Sequence, residues 1–561
     1  MARQVPAVHR VPLEIWTAIY MYMAPHEIVR VRKVCIHDLT QTMRAMFIAG
    51  VSAALWHPMY TERAQHSPLM TYTSSQGMSV DAMERALLVR DKIDRAWATR
   101  GAQPERVIRF RAHVNRITSV RLLVGAPDPR KGGMETPYWL LTGSVDGYVR
   151  VWDVNRVLQQ TGSLNVTPEL AVDAVLRSTG DESTCDEEEA GRVLPTDPAH
   201  DIKRSARAFL VAEVDTGGDV TSIDAQVDPD MRIMTIAVGS YYVCGSFADV
   251  QSTAGALLYE LRLRSLPHML DTCASLDPPE WGGTQCVSLL NDVVAIGTYT
   301  GRVYLLHWRS GERAVLEQVD RGSIAALSLL PTHVVVVSRM GHITVYERHG
   351  TVQATLGGQH TVGQHPLLSA SLGMLDERRM GTYHGRAANQ ALSLLCVDPT
   401  GLTHWLLDYQ HFTTPPTQVA HHEMSERLIG ASVGASGHHG ILASSLGGVP
   451  PICAARLYTC GQPLVPIRPT PDISLPGDSL SVPMPPVPAG APPPSSPTPP
   501  QRVRVDSFSS TSTASSTAPS LSSRVDMLTE TAMDEARGLL CLASVRGAVW
   551  IADYGGNIDT M

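Results

Sequence analysis

Residues 139–154 read WLLTGSVDGYVRVWDV, and this stretch constrains the fold more than any other. An apolar run meets Ser144-Val145-Asp146-Gly147, which carries the chemistry of a tight turn. It leaves that turn as an alternating strand with Val149, Val151 and Trp152-Asp153, the pattern of a β-hairpin. Upstream, Arg111-Ala112-His113 leads into a second alternating stretch over 117–123. Similar units of strand, Gly or Ser turn and strand recur at irregular spacing, which predicts stacked copies of one small sheet. The second copy spans 220–227, 233–240 and 256–263. The third spans 285–290, 293–298 and 302–308 with Thr300-Gly301 at its turn. The fourth spans 324–330, 333–338 and 342–346 with Met340-Gly341 at its turn. A fifth is placed at 367–375, 380–383 and 392–397, a Gly-rich sixth at 428–433 and 440–457, and a seventh at 539–544 and 548–554 with Arg546-Gly547 between. Segment 105–111 would add the outer strand of the last copy, so that no sheet edge stays open.

The first copy resembles a WD repeat. His113, Thr142, Asp146 and Trp152 stand where that family places a hydrogen-bonded tetrad. The physical need is plain: a carboxylate buried in a tight turn requires partners, and a His and a hydroxyl from neighbouring strands supply them. The resemblance implies an all-β, seven-bladed, WD-repeat-like β-propeller over 105–554.

The N-terminus has a different period. Leu13, Ile15, Ile19, Met23, Ile28, Val31 and Val34-Cys35 fall at helical spacing around a break at Pro25, predicting short amphipathic helices. Val11-Pro12-Leu13-Glu14-Ile15, Ile19, Met23, Pro25-His26-Glu27-Ile28, Val34-Cys35 and Leu55-Trp56 resemble the F-box pattern in order and spacing, although Ile36-His37-Asp38 replaces that family's Arg-x-Trp. The resemblance implies a small all-α F-box-like module over 8–60 that docks a Skp-type adaptor and, through it, a cullin. Helix-in-groove docking rests on a few apolar anchors, here Pro12, Leu13, Ile15, Ile19, Ile28 and Val34. A helical linker at 61–104 follows, with Met83, Leu87-Leu88, Ile93 and Trp97 at helical spacing over 80–99.

Composition narrows the function classes. With 561 residues, 43% of them apolar and 18% charged, the chain has the make-up of a globular protein with more than one domain. A net charge of -8 leaves no basic footprint for nucleic acid. The nine cysteines form no Cys-x-x-Cys pair, which argues for free thiols in a reducing compartment, cytoplasmic or nuclear. No apolar run of about eighteen residues appears, so no membrane span or signal peptide is expected. Two insertions, 158–204 with the acidic run 181–189 and 463–524 with Pro-rich and Ser/Thr-rich tracts, are expected to be disordered. The second carries Ser496-Pro497 and Thr498-Pro499, which read more simply as linker than as phosphorylation sites.

Catalytic motifs are weak. Gly430-Ala431-Ser432-Val433-Gly434 fits the G-x-S-x-G elbow, but Ala-Ser-Gly-His-His-Gly follows where a helix is needed. His421-His422-Glu423 and His438-His439 lack the spacing of a metal site. No metal, cofactor or catalytic residue is expected. The expected function is that of a non-catalytic substrate-recognition subunit of a cullin-type ubiquitin ligase, its propeller holding a client protein. The alternative is a WD-repeat scaffold without a ubiquitin role. In relatives that read phosphorylated clients, arginines ring the propeller's top face. Here those inner-strand places hold Thr118, Thr221 and Ala325, and only Arg339 stands where such an arginine would be.

Overall fold

A computed structural model describes residues 12–37, 41–66, 79–98, 106–125, 137–159, 209–228, 233–244, 251–263, 270–276, 283–316, 322–363, 365–373, 391–408, 412, 414–424, 427–433, 439–446, 452–459, 465–467, 528–535 and 537–555. A small N-terminal helical region precedes a mostly-β, propeller-like arrangement.

Five helices build the first region: α1 (Leu13–Tyr20), α2 (Pro25–His37), α3 (Gln41–Gly50), α4 (Ala53–His66) and α5 (Val80–Ala98). Pro25 opens α2, where the missing N–H costs no hydrogen bond. Glu27 reaches back to accept from the Ala24 N–H at 3.0 Å, half of a capping box. Tyr20, Ile28, Ala49, Leu55, Trp56 and Tyr60 form the core of this region together with Met83 and Leu87 of α5. The Trp56 indole N–H donates to the Gly50 carbonyl at 2.8 Å, so the ring is buried without an orphaned donor.

Helix α5 belongs to two cores. Its first half packs among α1–α4, whereas Ile93 and Trp97 in its second half pack with Leu540, Leu542, Trp550 and Tyr554. Polar contacts clamp both halves. Arg32 donates two bonds to Glu84 at 2.7 and 2.6 Å, the His26 ring lies 2.7 Å from the Asp91 carboxylate, and Arg90 donates to the Glu535 carbonyl at 2.9 Å.

The strands form antiparallel four-stranded sheets in chain order. The first sheet comprises Ile117–Val124, Tyr138–Ser144, Tyr148–Asp153 and Leu210–Asp215. The second comprises Asp219–Val227, Ile233–Cys244, Gln251–Arg262 and Leu270–Leu276. The third holds Thr284–Leu290, Val293–Thr298, Val303–His307 and Glu312–Val315, and the fourth Ile324–Leu329, His333–Ser338, His342–Arg348 and Ala354–Thr361. Next come Ser369–Gly373, Ala391–Asp398, Gly401–Asp408 and Thr417–Glu423 in the fifth. The last sheet joins Leu528–Asp534, Leu539–Ser544 and Ala548–Asp553 to the early strand Arg106–Arg111, which pairs with Ala548–Asp553. These six sheets have strands of at least four residues throughout; a lesser one between the fifth and the last, Arg427–Val433, His439–Leu446 and Ile452–Thr459, ends in the three-residue strand Val465–Ile467.

Second and third strands meet at tight turns whose glycine has positive φ: Gly147 at 85°, Gly301 at 83°, Gly341 at 81° and Gly547 at 77°. This is the backbone reason for the recurring Gly that marked the repeats.

Several expectations need correction. In the fifth sheet Gly401–Asp408 and Thr417–Glu423 provide the outer pair, and the expected strand at 380–383 lies outside the described residues. Leu528–Asp534, which the repeat pattern did not mark, is the first strand of the last sheet. The first insertion starts later than expected, because Val154–Gln159 is helical and buries Val157 and Leu158 beside Trp152. The second also starts later, because Val465–Ile467 pairs with 455–457. The acidic run and the Ser/Thr-rich tract lie outside the described residues.

Candidate functional site

The expected tetrad forms a closed hydrogen-bond chain. The Trp152 indole N–H donates to Thr142 Oγ1 at 3.0 Å, His113 Nε2 lies 2.8 Å from the same hydroxyl, and His113 Nδ1 lies 3.1 Å from both Asp146 oxygens. The Asp146 carboxylate can only accept, so the His113 proton sits on Nδ1 facing it, and Nε2 accepts from the Thr142 hydroxyl, which in turn accepts from Trp152. Asp146 also accepts the Val114 and Tyr148 N–H groups at 3.1 Å, completing its shell. Burial pushes the His113 pKa down against the opposing pull of Asp146, so the ring is neutral. For Asp146 burial acts upward, but the His113 hydrogen bond and the other partners together outweigh it and the net shift is downward. Through these bonds the network fixes the 145–147 turn at one end of the first sheet.

That end of the sheets opens onto a channel. The first strand of each sheet lines a central cavity of about 590 Å³. The register along these strands skips one residue at the same place, namely Thr118, Thr221, Gln285, Ala325 and Thr529 in the first, second, third, fourth and last sheets. Such bulges turn two successive side chains toward one side, so the channel acquires a collar just below its mouth. Thr118 is engaged, donating to carbonyls at 143 and 220. By contrast, Thr221 Oγ1, Gln285 Oε1 and Thr529 Oγ1, together with the deeper Ser328 Oγ, are buried without a hydrogen-bond partner among the described residues. These polar atoms face one cavity, where water or a polar ligand can meet them.

At the mouth, Arg116, Val145, Asp219, Tyr241, Tyr299 and Arg339 converge. The Tyr241 and Tyr299 rings meet edge to face, 6.3 Å between centroids. Burial raises the Tyr299 pKa, while the guanidiniums of Arg339 and Arg116 both oppose that rise. Arg121, further in, is paired with Asp224 at 3.2 Å, and Asp224 also accepts the Leu289 N–H at 2.8 Å. Glu530 follows the collar residue Thr529, and burial pushes its pKa up to about 8 against the lowering effect of Arg116. Its carboxyl is therefore protonated at neutral pH and able to donate a hydrogen bond. The Cys286 thiol on the same wall is pushed up to about 12 by burial and is a poor nucleophile there.

Glu530 predicts a pH dependence. Between pH 4.5 and about 8 the folded chain keeps a proton that the unfolded chain has lost, so stability falls as pH rises through this window. Glu530→Gln removes the effect and is expected to be more stable than the parent at pH 8 by about 1–3 kcal/mol, less than the full shift because the channel admits water, and equal to it near pH 4. Thermal unfolding at both pH values checks this. Equal curves at pH 8 would mean that Glu530 is ionised and solvated.

Arg339 is exposed on this mouth, as the sequence placed it, and four residues that no sequence motif singled out join it: Arg116, Tyr241, Tyr299 and Glu530. Met340, Leu368 and Val545 are exposed apolar side chains around the same end.

On the helical region the adaptor-binding candidates divide. Pro12 is exposed, as are Leu13, Ile15, Ile19 and Val34, with Ile15 49% and Val34 58% accessible. Ile28 is a correction: it is 0% accessible and packs with Tyr20 and Trp56, so it supports the surface from beneath and does not belong to it. Its helical spacing places it among the apolar set, but α2 has apolar residues on two sides and the one facing α3 and α5 is core.

The weak motifs come to rest in the sheets. Ser432 lies inside the strand Arg427–Val433 and faces the channel. His421 bonds to Thr403 Oγ1 at 2.9 Å, His438 lies outside the described residues, and no three His, Cys, Asp or Glu side chains gather as metal ligands among the described residues. Among the same residues no helix is long and apolar enough to cross a membrane. No protein-family model matches the chain, and no curated protein matches its sequence.

Proposed function

We propose that the chain is the substrate-recognition subunit of a cullin-type ubiquitin ligase, a non-catalytic receptor. In this reading the helical region is an F-box-like module that docks a Skp-type adaptor, and the β region is a closed, seven-bladed WD-repeat propeller that holds a client protein at its channel mouth. One observation carries the reading: the helical region exposes Leu13, Ile15, Ile19 and Val34 while Tyr20, Ile28, Leu55 and Trp56 are buried in its core, and α5 ties it to the sheets through two separate cores. Exposed apolar side chains on an already folded module are the signature of a docking face. A shared helix suits a receptor that must hold a client at a set distance from its docking point.

The test is a pull-down of the full chain with a purified Skp-type adaptor. Leu13→Asp with Ile15→Asp is expected to weaken binding about tenfold to thirtyfold while leaving the circular dichroism spectrum intact. Unchanged adaptor binding, or no binding by the parent chain, would sink the ligase reading. The second reading, a scaffold propeller with a helical cap, draws on the same shared core, since Ile93 and Trp97 make the helical region an integral part of the sheet domain. It predicts no adaptor binding.

A further inference from the structure

The client reading leaves open what chemistry the mouth recognises, and the residues there narrow it. Charge comes first. Arg116 and Arg339 line the mouth together with Tyr299; Asp224 is already paired with Arg121 and Glu530 carries a proton, so among the described mouth residues Asp219 is the carboxylate set against the two arginines. The balance is a surplus of about one positive charge. A phosphate dianion calls for several convergent cations, whereas one carboxylate is matched by two guanidiniums and neutral donors. The collar supplies such donors: the Thr221 and Thr529 hydroxyls lack partners among the described residues, and Thr529 is only 6% accessible. Glu530, beside Thr529, carries a proton near neutral pH and so adds a donor instead of a repelling charge.

Shape comes second. The exposed apolar side chains lie on two sides of the mouth. Met340 and Leu368 belong to the fourth sheet and the segment leading into the fifth, while Val545 belongs to the turn of the last sheet, beyond Arg116. A chain end seated in the mouth would touch one side only. An extended segment crossing the mouth touches both.

Resting on the receptor reading, we propose that the mouth binds an internal acidic residue of an extended client segment. The Asp or Glu carboxylate sits between Arg116 and Arg339 above the collar of bulged residues, and flanking apolar side chains rest on Met340 and Leu368 at one side and on Val545 at the other.

Fluorescence anisotropy of the full chain with synthetic peptide pools tests this. The pools share two Leu residues flanking a fixed central position, which is Glu, Gln or phosphoserine, and a fourth pool ends at the central residue with a free C-terminal carboxylate. The Glu pool is expected to bind about tenfold more tightly than the Gln pool. The phosphoserine pool should gain nothing over Glu. Arg116→Gln with Arg339→Gln should bring the Glu-to-Gln ratio close to one, and Thr529→Val, which keeps the side-chain volume, should lower it about threefold. Equal binding of the Glu and Gln pools, tighter binding of phosphoserine, preference for the C-terminal carboxylate, or no binding by any pool would each overturn the proposal. Adaptor binding, measured on the same preparation, separates these failures from failure of the receptor reading.

Discussion

Trp152→Ala is expected to destabilise the sheet domain by about 3–5 kcal/mol, because it combines lost packing with a lost hydrogen bond. The indole is 5% accessible and lies in one cluster with Ile117, Leu140, Val549 and Ile551, side chains drawn from both the first and the last sheet. Its ring meets Phe110 edge to face at 5.0 Å, and Phe110 belongs to Arg106–Arg111, the strand that completes the last sheet. Truncation therefore opens a cavity at the junction between the chain's earliest and latest strands. It also removes the donor to Thr142, freeing that hydroxyl from the chain that orients His113. Trp152→Phe keeps most of the volume and loses the N–H bond, for which about 1 kcal/mol is expected. The denaturant midpoint, followed by far-ultraviolet circular dichroism, reads both. A Trp152→Ala midpoint within error of Trp152→Phe would show that packing at the junction matters little.

Gly547→Ala should cost about 2–4 kcal/mol, through the backbone and not through a side-chain contact. Gly547 has φ 77°, and its carbonyl accepts both the Ala112 and His113 N–H groups, at 2.8 and 3.0 Å. An added Cβ would fall against the His113 carbonyl and close to Asn115 O, 2.9 Å away, and neither backbone group has room to retreat. The segment that would have to move carries His113, so the tetrad is strained as well. Gly217→Ala is the matched control. It has φ 73° but nothing within 4 Å of the added atom, so it bears the conformational cost alone. Thermal unfolding of the pair separates clash from strain, and equal losses would show that the His113 contact is easily relieved.

Much of this architecture is legible in the residues because alternation and turn glycines are local signals. The third and fourth sheets match their expected strands closely, since Val-rich runs such as 334–337 are buried on both sides and each ends at a Gly with positive φ. Gly401–Asp408 and Thr417–Glu423 were hidden for the opposite reason. His404, His421 and His422 interrupt the apolar pattern, and the turn between Ala391–Asp398 and Gly401–Asp408 is organised by the Asp398 side chain bonding the Thr400 and Gly401 N–H groups. Leu528–Asp534 carries a weak strand signal because it follows a long Ser/Thr tract and has Glu530 amid its apolar residues. Of the mouth, Arg339 is readable from its place in a turn. Arg116, Tyr241 and Tyr299 are not, because they converge from separate sheets and no local pattern records that convergence. Ile28 shows the reverse error, in which a correct helical period does not reveal which of two apolar sides a neighbour covers.

The pairing of Arg106–Arg111 with Ala548–Asp553 has a consequence for biosynthesis. A ribosome releases the helical region and the strand at 106–111 well before that strand's partner at 548–553, and before Leu540, Leu542, Trp550 and Tyr554, on which Ile93 and Trp97 rest. Until then the nascent chain holds an unpaired edge strand beside a helix with half its apolar surface uncovered, a state that invites chaperones and mispairing. A premature stop anywhere before the last sheet would therefore remove more than one sheet: it would leave the earliest strand without a partner and the helical region without its second anchor.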